Sequence, residues 1–415
     1  MKKSILLVVL IMLVFFVISF LTNILGALNA KVSESFTLTD TMAGLLPFAF
    51  FIAYGVMSIP SGFLVEKFGE KPVMMLAFLF AFAGSVVFVI IPVFSVFVIS
   101  LFTIGAGMAA LQVVINPLLR VSGGENNYAF NSVMAQLVFG LASFISPQMY
   151  SYFAINIDKG NINKPLIGLM SGLVPANMSW VSVYWVFTLV AVLMFIIIFF
   201  VKFPAVELHD DEKVGSKDSF MELIKNKYVL LYFIGIFMYV GSEQGISYWL
   251  SKFLNQYHGI NPDLAGADAV SYFWGLMTVG GMLGLILMKL FDSKQVLRWF
   301  TILAIICVAA GLFGSAGVAL WALPISGFFL SVMYPTVVSL GLNSVEKHHG
   351  SFAGILMTGI AGGAIVQILI GAISDIVSLR VGMMLIFVTL GYILSISFWA
   401  KPLISNATIK LKTKK

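Results

Sequence analysis

Charged side chains are scarce in this sequence. Asp, Glu, Lys and Arg make up 10% of its 415 residues, against about 25% in soluble domains. Cysteine is almost missing. The single Cys307 excludes an intramolecular disulfide, and its place in an apolar run leaves the redox compartment open. The sequence has no phosphate-binding glycine loop, no metal-ligand spacing and no nucleophile–base pair. Catalysis therefore has no support, and neither an enzyme nor a resident cofactor is expected. Alternation of period two is absent from the apolar runs, which argues against a membrane β-barrel.

What the chain has instead is hydrocarbon. It is 60% hydrophobic, with 38 Phe and a mean hydropathy of +1.03. A water-soluble fold could not hide that much apolar surface. A spanning helix needs about 20 largely apolar residues, and twelve such runs are present. Their expected bounds are 5–29, 40–65, 72–91, 95–120, 126–153, 178–201, 228–254, 264–288, 295–314, 317–342, 351–373 and 380–400. They are numbered here as spans 1 to 12. The N-terminal run resembles a signal peptide, but it is too long for an h-region of about 7–15 residues. It is read as span 1. The fold class expected is an all-α membrane protein with both termini on one side.

Basic residues set the orientation. With both termini inside, only Lys31, Lys159, Lys164, Lys252 and Arg380 of the 24 Lys and Arg lie outside. The net charge of +6 thus fits membrane orientation better than nucleic-acid binding. The polar stretch 202–227 divides the spans six and six and reads as a cytoplasmic linker, with a surface helix near 219–225. The expected units are 1–201, the linker 202–227, 228–400 and a basic cytoplasmic tail, 401–415. The two halves carry a weak repeat. Asn116-Pro117 in span 4 and Tyr334-Pro335 in span 10 recur at nearly the same offset as Lys67-Phe68-Gly69 after span 2 and Leu290-Phe291-Asp292 after span 8. The same offset carries Glu243 of span 7 onto the Thr22-Asn23 patch of span 1.

Glu243 differs in kind from every other polar residue of the spans. An intramembrane acid is a functional hypothesis by default, and no Lys or Arg lies mid-span anywhere in the chain. Lys252, the nearest on the same span, is roughly 13 Å away along the helix axis. Glu243 is therefore neutral, wetted by a cavity, or paired with a bound cation, and each of these suits coupling to Na⁺ or H⁺. Tyr239, Glu243 and Ser247 are four apart and form one polar stripe. Further polar groups concentrate in spans 4, 5, 8 and 10: Gln112 and Asn116, Asn131 and Gln136, Ser271, Trp274 and Thr278, and Tyr334, Ser339 and Asn343. Amides and hydroxyls that both donate and accept suit a neutral polyol, with an aromatic ring to stack on a sugar face. The glycines of span 11 (Gly354, Gly359, Gly362, Gly363, Gly371) read as a site of close helix packing. The charges of 61–71, between spans 2 and 3, could pair with helix ends across the two halves and hold one conformation.

Several segments resemble a known family. Gly62-x-x-x-Glu66-Lys67-x-Gly69-x-Lys71 after span 2, with six-plus-six spans, resembles the major facilitator superfamily. Phe36-Thr37-Leu38-Thr39, Leu111 to Pro117, Tyr239-Val240-Gly241-x-Glu243, Tyr334-Pro335-Thr336 to Gly341, and Ser374-Asp375 are similar to its fucose–proton symporter family, including the glucose/galactose branch. The resemblance implies two pseudo-symmetric six-helix bundles, alternating access and ion-driven monosaccharide uptake. Asn23 matches the family's span-1 Asn, but Gly26 stands where an Asp is aligned. Gln112 stands where the fucose branch has Glu, and Gln136 matches a family Gln. Both carboxylates linked to proton coupling in the fucose branch are thus missing, while Glu243 occupies the pseudo-symmetric place of the lost span-1 acid.

The expected function is a secondary transporter in the plasma (inner) membrane that imports a neutral monosaccharide or derivative, as a monomer. Asn23, Gln112, Asn116, Gln136, Trp274, Tyr239, Ser247 and Tyr334 are the candidate substrate contacts. Glu243 is the candidate ion-coupling residue, and Gly62, Glu66, Lys67, Gly69 and Lys71 form the candidate gate. An uncoupled facilitator, or an exporter of amphipathic compounds, is the alternative; an exporter would have a mainly apolar cavity. A non-transporting receptor would need a sizeable soluble domain.

Overall fold

The structure, a computed structural model, describes residues 5–123, 128–161, 163–203, 217–345 and 349–403. Among them are twelve helices long and apolar enough to cross a membrane: Ile5–Ser35, Asp40–Phe68, Glu70–Ile90, Phe94–Leu119, Phe130–Asp158, Ser179–Phe200, Lys227–His258, Pro262–Leu290, Ser293–Phe313, Ala316–Leu342, Ser351–Ile376 and Leu379–Trp399. They are spans 1 to 12 of the sequence, most of them longer than hydropathy alone marks, because helices run on past the hydrocarbon into polar ends. Helical structure is the rule here because lipid offers no partner for a backbone N–H or C=O, so each must be satisfied within the segment. The apolar residues left outside, such as Ile99 (66% exposed), Phe200 (76%) and Val388 (62%), form the face that meets lipid.

Local chemistry sets where the helices begin and end. Thr39 caps span 2 by accepting from the Met42 amide, Asn226 caps span 7, and Asp292 caps span 9. Spans 2 and 3 are separated by one residue, Gly69, whose φ of +81° suits glycine alone. A short helix, Lys217–Lys225, precedes span 7 where a surface helix is expected, and another, Pro165–Ser171, lies in the loop between spans 5 and 6. Span 1 is two helices, Ile5–Thr22 and Leu25–Ser35, with the turn at Asn23.

The packing repeats. In the first half, span 1 packs on span 5, span 2 on span 4 and span 3 on span 6. Moving six spans along gives 7 on 11, 8 on 10 and 9 on 12, and these are the pairs in the second half. Across the seam, span 2 packs on span 11, and its mate, span 8 on span 5, is present too. Span 1 meets span 7 on the axis between them. This is a pair of pseudo-symmetric six-helix bundles. It places the turn at Asn23 opposite the middle of span 7.

Candidate functional site: a cavity between the two halves

A cavity of about 820 Å³ lies between the bundles. It reaches from mid-span toward the end where span 6 stops and span 7 starts, its wall extending to Leu342 and Asn343 at the end of span 10. Its deep end is polar. Asn23 donates from Nδ2 to Ser143 Oγ of span 5 (2.8 Å), and Ser143 lies 2.5 Å from Ser19 Oγ. Facing them on span 7, Glu243 uses both carboxylate oxygens. Tyr239 donates its hydroxyl to Oε2, and Gln244 donates Nε2 to Oε1 (3.0 Å). Both donors are neutral, so hydrogen bonding orients the carboxylate without balancing its charge. The Tyr334 ring packs 5.7 Å from that of Tyr239, and its hydroxyl donates to Met357 Sδ (3.2 Å). Trp274 of span 8, 4% exposed, lines the same wall, and its indole N–H has no acceptor among the described residues. A buried donor without a partner is costly.

Most of the candidate residues therefore meet. Asn23, Gln112, Gln136, Tyr239, Glu243, Trp274 and Tyr334 all line this cavity. The side chain of Asn116 lies outside the described residues. Ser247 is on the expected face of span 7 but beyond the cavity's closed end, 2% exposed. Its backbone carbonyl presses against Gly26 of span 1, where a Cβ would overlap it. Residues of the wall that were not singled out from sequence include Gln244, Ser143, Tyr54, Phe51 and Met277. Gln244 follows Glu243 directly, so helical periodicity puts it on another face. It joins the site because its side chain reaches back.

The end that carries the span 1–2 and span 7–8 turns is shut by a polar seam. Lys252 Nζ is 2.6 Å from Asp40 Oδ1 and also donates to Ser33 (3.1 Å). Lys31 lies 3.4 Å from Asp263, which accepts the Tyr150 hydroxyl as well. Gln148 of span 5 donates to Asp268 (2.7 Å) and Ser271 (3.2 Å) of span 8, and Asn29 to the Tyr248 carbonyl (3.0 Å). Asp375, at the end of span 11, accepts the backbone N–H groups of Asp40 (2.7 Å) and Thr41 (2.9 Å). It thereby caps span 2 from the opposite half.

In the 61–71 segment, the lysine contacts seen are within the first half. Lys71 donates to the carbonyls of Phe199 (2.7 Å) and Val201 (2.9 Å), at the end of span 6 in its own half. Gly62 is buried, Glu66 and Lys67 are exposed, and Lys67 Nζ lies 5.1 Å from the Phe68 ring centroid. The bonds named above as joining the halves lie at the other end of the molecule. One test follows. Asp375→Asn should weaken closure by about 0.3–1 kcal/mol, the usual worth of a charge at a helix N-terminus. The readout is faster alkylation of a cysteine placed at Ser271, a residue sealed within the seam, in a Cys307→Ser background.

Comparison with known proteins gives the fold its family. Residues 11–366 match the model of the Major Facilitator Superfamily. The chain is 27% identical over 390 residues to a glucose/galactose transporter of Brucella abortus, covering 92% of this chain and 90% of that protein. It is 27% identical over 382 residues to the L-fucose-proton symporter of Escherichia coli, covering 87% and 85%. The crystal structure of the E. coli fucose:proton symporter superposes with a TM-score of 0.68 at 22% identity, over 96% of this chain and 100% of that one. A bacterial homologue of the human lysosomal transporter Spinster, inward-facing and unoccupied, superposes with a TM-score of 0.79 at 14% identity, over 95% and 96%. With the family model spanning most of its length, this chain belongs to the Major Facilitator Superfamily.

Proposed function

We propose that the protein imports a neutral monosaccharide or close derivative by alternating access, driven by a Na⁺ or H⁺ gradient that acts through Glu243. The observation that carries this reading is convergence. One acid held by neutral donors, and amides and hydroxyls from both halves, line a single cavity that is closed at one end. A site between two repeats near mid-span is where substrate and coupling ion meet in carriers of this kind. Relatives named for glucose/galactose and fucose transport support the sugar class.

In this reading Asn23, Gln112 and Gln136 hold sugar hydroxyls, with Trp274, Tyr239 and Tyr334 as aromatic walls. Ser247 would join the wall only when the seam above it parts, and Asn116 keeps its place by resemblance. The bias of basic residues puts both termini in the cytoplasm. The sealed seam then faces outward and the cavity opens inward, the stage from which substrate can leave into the cell. Carboxylate and sugar share one space, so binding of the cation and of the sugar are thermodynamically linked.

The test is a thermal-shift screen of monosaccharides on the purified protein, with and without Na⁺, at two pH values. A ligand present at 100 times its Kd should stabilise the fold by about 2.7 kcal/mol. Stabilisation that needs Na⁺, or that changes with pH, identifies the ion together with the sugar. A screen in which no monosaccharide stabilises the protein under any condition would count against the sugar reading.

A further inference from the structure

The cavity is larger than a single sugar ring needs, and its two walls differ. Pockets for drug-sized ligands occupy about 300–1,000 Å³, and this one, at about 820 Å³, lies high in that range. The polar groups of the proposed sugar site sit at its deep end. From there toward the open end, spans 8, 10 and 11 present Met277, Met282, Leu285, Met288, Val338 and Met357. The sulfurs of two of these methionines already accept hydroxyls: Met357 from Tyr334 (3.2 Å) and Met288 from Thr336 (3.6 Å). These residues form an apolar strip on that wall, beside Thr278, Ser331, Ser339 and Asn343 of the same spans. The facing wall, from spans 4 and 5, offers Gln112, Ser132 and Gln136 among Val133 and Leu137. A free monosaccharide has hydroxyls around its whole rim and would leave the methionine wall in contact with water only. Methionine is the side chain best able to fit apolar groups of varied shape.

We infer that this site, if it takes sugars as proposed above, takes glycosides: a sugar ring at the Asn23–Glu243–Trp274 end, with an apolar aglycone lying along the methionine wall. Nothing covalent is required. The sugar supplies hydroxyls to the amides, and the aglycone displaces water from Met282, Leu285 and Met288. Each methylene so buried should raise affinity about fourfold, so a phenyl group should be worth roughly tenfold or more.

Isothermal titration on the full chain in lipid nanodiscs tests this, with glucose, galactose and fucose each set beside its phenyl β-glycoside. For a sugar that binds, the phenyl glycoside should bind at least about tenfold tighter. Met282→Gln and Leu285→Gln should each shrink that ratio. Both residues are part-exposed, at 42% and 48%, so polar replacements there do not threaten folding. A parent sugar that binds as well as its phenyl glycoside overturns the inference and leaves the sugar reading standing. A tenfold gain that survives both substitutions overturns it too, because the aglycone then lies elsewhere. If neither sugars nor glycosides bind, both readings fall.

Discussion

Glu243→Gln should abolish gradient-driven accumulation in proteoliposomes while sparing substrate binding and exchange. Glutamine keeps the shape of the side chain and can still accept the Tyr239 hydroxyl. It cannot carry the charge or the proton. In the native site both carboxylate oxygens accept from neutral donors, and no basic side chain lies mid-span in the sequence. On the proposed reading the counter-charge comes from solution, as Na⁺ or as H⁺, and its binding supplies the coupling. Without the carboxylate, sugar can still fill the cavity and cross, but the internal concentration should stop at the external one. The measurement is labelled-sugar uptake under an imposed Na⁺ or H⁺ gradient, with counterflow as the control for intact exchange. Full accumulation by the variant would remove Glu243 from the coupling step. Loss of counterflow as well would mean that the residue holds substrate rather than ion.

That prediction rests on a residue legible from sequence, and the reason is physical. An acid in hydrocarbon is costly enough to stand out in any apolar run. The twelve spans were legible for the same reason, since length and hydropathy are properties of one segment. Asn23 could be found because the repeat carries span 7 onto span 1. The seam was far less legible. Asp40, Lys252, Asp263 and Asp375 look like ordinary charges at helix ends, and their partners are distant in sequence: Asp375 bonds to the backbone at Asp40 and Thr41. Only the packing of span 2 on span 11 joins them. Ser247 illustrates a different limit. Spacing of four residues gave its direction from the helix axis correctly, but spacing says nothing of depth, and the cavity ends one turn short of it. The charges of 61–71, Lys71 among them, could from sequence pair with helix ends across the halves. The turn at Gly69 points span 3 back along its own bundle, and Lys71 there bonds to the carbonyls at the end of span 6.

Gly26→Val should hold the molecule open at the seam and stop transport. Gly26 stands where span 1 crosses span 7, and a Cβ there would fall on the Ser247 carbonyl. That obstacle is backbone within a helix, so no rotamer change relieves it. Gly371 has the same relation to the Asp40 carbonyl, between spans 11 and 2. Both overlaps lie between the halves and arise only when this end is closed. Overpacking of this kind costs about 1–3 kcal/mol, and each 1.4 kcal/mol is tenfold in a population. The sealed state should lose ground by roughly tenfold to a hundredfold, within the range of a two-state switch. A cysteine at Ser271, on a different span from either glycine, should then be alkylated faster by a similar factor, in the Cys307→Ser background. Gly371→Ala should move it the same way. Gly317→Ala should leave it alone, since nothing lies within contact of that Cβ position. The physical content is that alternating access needs backbones to touch at one end and part at the other, and glycine at the crossing is what permits the touching. If Gly26→Val leaves the Ser271 position as protected as before, the span 1–7 crossing is not part of the moving seam. The closed end would then be a fixed floor rather than a gate.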